Sequence, residues 1–286
     1  MKRFDVLTIG LQVIDLMIPG MDGHILDREM TLLDHAELTL GGDALNQAIV
    51  LSQLGARTAL MGAAGVDRLG DVLLQVVLNS CIGGINPVAV ENGLKLGAKV
   101  GWLPTSSARN HLEKLGKPTA GCVDVVKDGK IVPELQKVLE LVRDYDAVLG
   151  TGHISVEEIF TVTKAARELG VKKIVVTHPE WWIVNMTMEE QKRIVAEYDV
   201  ILERCYAQNK GVGHGYISNL PGNLETIREI GYKNVLISTD GGQVENPHWE
   251  LAEEEYLQYM LDHGIPEEHI RYMSHDLPSY LLGIEA

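Results

Sequence analysis

Short apolar runs rich in Val and Ile alternate along the chain with longer stretches in which apolar residues recur every three or four positions. The first pattern suits strands and the second suits helices with one buried face. The runs predict strands over 4–9, 58–63, 74–78, 99–103, 147–150, 172–177, 198–202 and 233–238. The longer stretches predict helices over 43–54, 86–96, 134–144, 155–169, 187–196, 222–230, 250–263 and 266–273. Runs such as KKIVVTH and KNVLIST lack polar alternation, as expected of strands covered on both faces. Local signals support several boundaries. Ser155 followed by Glu158 has the spacing of a capping box, and Gly170 after Leu169 marks a helix stop.

Strands interleaved with helices in this way define an α/β protein, and eight such units match a (βα)8 TIM-barrel-like fold. A length of 286 residues accommodates one large barrel or two smaller domains. The first 70 or so residues differ in character. Their glycine-rich segments are LTLGGDALNQA and LMGAAGVDRLGD, whereas later strands end in TGH, THP and STD. Any join between the two regions falls near residues 71–84, giving expected segments of 1–75 and 76–286.

Charge and cysteine content narrow the functional classes. Lys and Arg number 25 against 40 Asp and Glu, a formal net charge of −15, which argues against a nucleic-acid partner and against an anionic membrane surface. Cys81, Cys122 and Cys205 form no CxxC pair and suggest neither a disulfide framework nor a thiolate zinc site, so a cytoplasmic setting is expected. Asp5 and Asp15 interrupt the apolar N-terminal stretch, which reads as a strand rather than a signal peptide. A small-molecule substrate is the expected partner; the oligomeric state is left open.

Gly41-Gly42 ahead of a predicted helix would expose backbone N–H groups able to hold a hydroxyl or an anion, although glycine pairs also serve as plain turns. With its surroundings the segment resembles the N-terminal part of the ribokinase-like (PfkB) sugar kinases. The matching residues are Asp15 near the end of the first strand, Gly41, Gly42, Asn46 and Ala48 in a GGxxxNxA pattern, and Gly62, Gly65, Asp67 and Gly70 in a GxxGxDxxG pattern. The resemblance implies sugar contacts by Asp15, Gly41, Gly42 and Asn46. The late Gly-Ala-Gly-Asp motif that supplies the base and anion hole of such kinases is missing. STDGGQ has the wrong order of Gly and Asp, so neither a nucleotide nor kinase activity is expected.

Later in the chain, His153 follows the run AVLGTG, His178 follows KIVVT with Glu180 nearby, and Asp240 follows NVLIST. In an α/β barrel the C-terminal ends of the strands meet at one mouth, so these residues could face a common ion. Imidazole and carboxylate suit Zn²⁺, Mn²⁺ or Fe²⁺, which activate water near neutral pH. Each residue also fits a hydrogen-bonded turn, and Asp240 before Gly-Gly could simply shape one.

From about residue 74, the segments GGINPVAVENGLKLGAKVGWLPT, NHLEK, DAVLGTGHIS, KKIVVTHPEW, ILERCY, STDGGQVENP and LPSYLLGI resemble an uncharacterised family of amidohydrolase-like barrel proteins. The resemblance implies a metal-dependent hydrolase. His153, His178 and Asp240 would be metal ligands, Asp240 would also be the catalytic base, and His111, Glu180 and Glu203 would bind substrate. The pattern departs from such hydrolases at the first strand, because the chain contains no His-x-His. The sugar-kinase-like segment stands there instead, as though replacing the first βα units. The expected function is hydrolysis of an amide, lactone or related bond, impaired by the missing ligands. The alternative is a sugar-binding or catalytically inactive chimera.

Overall fold

The computed structural model of the protein describes strand residues 6–9, 13–17, 37–41 and 58–61, and residues 85–95, 97–209, 215–241 and 246–284. Chain contacts divide it into two compact units, Met1–Gly84 and Ile85–Ala286.

In the first unit the described strands are β1 (Val6–Ile9), β2 (Val13–Met17), β3 (Glu37–Gly41) and β4 (Thr58–Met61). β1 pairs in parallel with β4, as expected of strands joined by a crossover. β2 and β3 pair antiparallel, with Asp15 opposite Thr39 and Val13 opposite Gly41. Asp15, expected near the end of the first strand, lies instead in the separate strand β2. The expected helix over 43–54, the expected strand over 74–78, and Gly42 and Asn46 lie outside the described residues.

The second unit opens with helix α1 (Pro87–Lys95), where Asn86 caps the N–H groups of Val88 and Ala89 and Pro87 begins the helix. Strand β5 (Val100–Trp102) and the short helix α2 (Arg109–Lys114) follow. A two-residue hairpin, β6 (Val126–Lys127) and β7 (Lys130–Ile131), leads into helix α3 (Pro133–Asp144). Then come β8 (Val148–Gly150), α4 (Val156–Glu168), β9 (Lys173–Val176), α5 (Met188–Tyr198) and β10 (Ile201–Cys205). A hairpin of β11 (Ala207–Asn209) and β12 (Tyr216–Ser218) precedes α6 (Leu220–Ile230) and β13 (Val235–Ser238). The unit ends with α7 (Trp249–Asp262), α8 (Glu267–Arg271) and α9 (Leu277–Leu282).

Five of these strands form one parallel sheet in the order β13-β10-β9-β8-β5. The order follows the chain without reversal, as in the wall of a (βα) barrel, and differs from a doubly wound sheet, whose order reverses at a switch point. The α/β class expected from the sequence therefore holds, while the described residues do not close a barrel.

Both faces of the central strands are covered, which explains their unbroken apolar runs. Leu149, Ile174 and Val176 join one core cluster with Leu135, Leu139 and Val142 of α3 and Ile159, Val162 and Ala166 of α4, spaced at helical intervals. The intervening residues Val148 and Val175 pack with Leu277 and Leu281 of α9. Ser155 caps α4 through the reciprocal capping box that its spacing with Glu158 predicts, and Gly170 takes a positive φ of 91° beyond the helix end. Strand β10 begins three residues later than expected. Helix α5 runs on to Tyr198 and turns at Asp199 in the left-handed conformation, which carries Glu203 and Arg204 into the strand. Among the described residues no helix is long and apolar enough to cross a membrane.

Candidate histidine site

The site is built at the C-terminal ends of β8 and β9, where hydroxyl side chains lace the two strands together. The Thr177 amide donates to Thr151 Oγ1 at 3.0 Å, and the Gly152 amide donates to Thr177 Oγ1 at 3.1 Å. Gly152 has φ +60°, and a Cβ there would collide with the backbone carbonyl oxygens of Leu103 and Pro104. Only glycine lets the chain pass this close to the end of β5. The next amide, that of His153, donates to Pro104 O at 3.0 Å. Asn110 of α2 clamps the same region, its Nδ2 donating to His153 O at 2.9 Å and to Ile183 O at 2.8 Å.

These turns bring three imidazoles together. His153 Nε2 lies 3.1 Å from His178 Nε2, and His153 Nδ1 lies 2.7 Å from His111 Nδ1. Trp181 stacks on His178 with ring centroids 4.1 Å apart. His178 is buried, with only 3% of its surface exposed, and among the described residues its Nδ1 has no partner in another residue. It also holds φ 25°, whereas every other positive-φ residue described is Gly, Asp or Asn. Such backbone conformations concentrate at functional sites.

All three rings are held neutral. Burial lowers His178 to about 4 and drives His153 down further, with the neighbouring imidazoles adding to the effect. Burial also lowers His111, helped by Lys117. Neutral rings keep the lone pairs that a metal ion needs.

A second polar cluster forms around Arg204 of β10. Arg204, 1% exposed, donates from Nη1 to Glu180 Oε2 at 2.6 Å and to Gln191 Oε1 at 3.0 Å, and from Nε to Asn223 Oδ1 at 3.1 Å. Asn219 Nδ2 donates to the other oxygen of Glu180 at 2.8 Å. Burial raises the Glu180 carboxyl, against the pull of Arg204. On the neighbouring position of β10, Glu203 is pushed up to about 7 by burial and by the negative charge of Asp240. Asp240 itself sits at φ 46°.

The structure thus joins His153 and His178, brings the expected pocket residue His111 onto His153, places Glu180 against Arg204, and puts Asp240 within electrostatic reach of Glu203. Sequence reasoning missed Arg204, Trp181, Asn110 and the two threonines. The threonines had a signal, since one stands just ahead of each histidine in TGH and VTH. Arg204 had another, a cation inside an apolar strand.

The donor set offers a divalent ion two positions. Two Nε2 atoms 3.1 Å apart suit two bonds of ~2.0–2.1 Å to one ion. Among the described residues no group of three or more His, Cys, Asp or Glu side chains assembles in ligand geometry.

The chain belongs to a family of unknown function, DUF6282, whose model matches residues 25–203. Its fold is similar to that of several solved structures. A candidate 2-pyrone-4,6-dicarboxylic acid hydrolase from Pseudomonas putida shows a TM-score of 0.49 and 12% identity, covering 100% of both chains. An amidohydrolase from Pseudomonas aeruginosa shows 0.48 and 11%, covering 79% of this chain and 72% of its own. An amidohydrolase from Burkholderia multivorans, solved with bound zinc, shows 0.44 and 10%, covering 99% of both chains.

Proposed function

We propose that the protein is a metal-dependent hydrolase of the amidohydrolase type, acting on an amide, lactone or related bond. The observation that carries this reading is the approach of two neutral imidazole Nε2 atoms to 3.1 Å at the C-terminal ends of adjacent parallel strands. His153 and His178 would hold a divalent ion, with Asp240 as the base. Such an ion acidifies water and polarises a carbonyl, the chemistry that hydrolysis of these bonds requires.

The chain's own residues supply the rest. Burial by Trp181 and the β9 turn keeps the His178 ring neutral and fixed. Glu203 and Asp240 would take up the proton that hydrolysis releases. With its carboxyl raised to about 7 by burial and by the Asp240 charge, Glu203 exchanges a proton near neutral pH, where general acid–base catalysis is most effective.

Metal analysis of protein purified without chelator tests the reading independently of turnover. Wild type is expected to carry a divalent ion and His178→Asn to lose it, asparagine being chosen because it tolerates the positive φ at this position. A wild type that takes up no divalent ion under any loading condition overturns the reading.

A further inference from the structure

The two contacts made by His153 differ in shape. His111 and His153 have ring planes 6° apart, centroids 4.9 Å apart and nearest nitrogens 2.7 Å apart. Parallel rings with centroids so distant and nitrogens so close meet edge to edge, so the Nδ1···Nδ1 line runs in the plane of both rings, where an N–H of one points at the lone pair of the other. The His153–His178 contact has the same centroid separation of 4.9 Å but a longer nitrogen distance of 3.1 Å and planes 50° apart. It is bent, and its two lone-pair directions are free to converge on a third atom.

A neutral imidazole carries one N–H and one lone pair. If both Nε2 atoms give their lone pairs to one ion, the hydrogen of His153 stands on Nδ1, directly facing His111 Nδ1. His111 must then accept it and carry its own hydrogen on Nε2. We propose that His111 is the positioning residue of the site: by accepting the Nδ1 hydrogen of His153 it fixes the tautomer and the ring plane that turn the His153 Nε2 lone pair toward the ion. The assignment rests on the metal-dependent reading above and goes beyond it. It gives His111, expected from sequence to bind substrate, a role toward the ligand His153 instead. Outer partners of this kind commonly set metal affinity through ligand orientation and basicity.

The experiment uses full-length protein with ¹⁵N-labelled histidine side chains. In metal-free wild type, a coupling across the hydrogen bond is expected between the two Nδ1 atoms. In Zn²⁺-loaded wild type, His153 is expected to be protonated at Nδ1 and not at Nε2. His111→Phe keeps an aromatic ring but removes the acceptor, and should weaken Zn²⁺ binding about 10–100-fold in chelator competition. His111→Gln restores a side-chain acceptor and should recover most of that loss, a rescue that a purely packing role would not produce. Zinc bound to wild type with His153 protonated elsewhere, or His111→Phe binding zinc as wild type does, overturns the positioning role and leaves the hydrolase reading intact. A wild type that shows the Nδ1–Nδ1 coupling yet takes up no zinc overturns the metal reading and this role with it. The two wild-type spectra decide the matter even if the phenylalanine variant does not fold.

Discussion

Two buried polar clusters, one at the ends of β8 and β9 and one around Arg204 of β10, differ in how completely they are satisfied. Around Arg204, Glu180 uses both oxygens, Asn219 and Asn223 bond to each other, Asn223 Nδ2 donates to Cys205 O, and Gln191 Nε2 donates to Met186 O. Around His153, one contact is bent, His178 Nδ1 finds no partner in another described residue, and the His178 backbone is held at φ 25°. The groups just named around Arg204 have their charge and hydrogen bonds returned, which serves the fold, although the buried Tyr256 hydroxyl near Arg204 and Glu180 has no partner among the described residues. A cluster left open and strained is the one with capacity to bind something. Titratable side chains at a strand end therefore do not by themselves identify a site.

Removing Arg204 should have the largest effect on stability. Arg204→Met leaves Glu180 buried without its cation, and breaking a buried pair in this way costs about 3–5 kcal/mol. The double variant Arg204→Met with Glu180→Gln removes both charges and should regain a substantial part of that loss. Urea unfolding of the three proteins provides the measurement. A single variant within ~1 kcal/mol of wild type would mean that the Arg204 cluster is not the closed structural network described.

Gly152→Ala sharpens the contrast on the histidine side. An alanine there meets both the positive φ and the carbonyl oxygens of Leu103 and Pro104, whereas Gly116, with a similar φ of +65°, has nothing within 4 Å of a would-be Cβ. Gly116→Ala should show the backbone term alone, about 1 kcal/mol. Gly152→Ala should cost more than that and displace His153, so its Zn²⁺ affinity should also fall. Equal losses in the two variants, with unchanged zinc binding, would show that the close packing at Gly152 is irrelevant to the site.

Much of this was legible in the sequence because the relevant physics is local. A capping box spans three residues, so Ser155 and Glu158 announced the start of α4. Parallel strands deliver their C-terminal residues to one edge of a sheet, so His153 and His178 could be paired from two strand ends 25 residues apart. Other features depend on distant partners. The strand expected over 198–202 stops short of Glu203 and Arg204, and only Glu180, Gln191 and Asn223, supplied by other segments, make Arg204 tolerable inside β10. The β2–β3 pairing joins residues 20 to 28 positions apart and leaves no periodic signature in either. His111 was approached through resemblance alone, because a short exposed helix carries no periodic signal for the ring that it turns inward.

The N-terminal end of the strands gives the smallest expected effect and a control on the comparison. At the start of β9 the buried Lys173 donates to Asp146 Oδ2 at 2.8 Å and to Asp146 O at 3.1 Å, while the Asp146 carboxylate is 61% exposed. The hydrogen bond from Lys173 holds the Asp146 carboxyl below its ordinary value, with the ammonium charge adding to the effect. A carboxyl depressed in the folded state stabilises fully above its unfolded pKa of about 3.9, and that contribution is lost as pH falls through the lower folded value. Asp146→Asn, which suits the left-handed φ of 49° at this position, should therefore cost no more than ~1 kcal/mol at pH 7, solvent screening having already weakened the pair. The gap to wild type should then narrow steadily below about pH 4. Urea midpoints for both proteins across pH 7 to 3 give the comparison. A gap that keeps its full size at the acidic end would place its origin in packing or backbone conformation instead of charge.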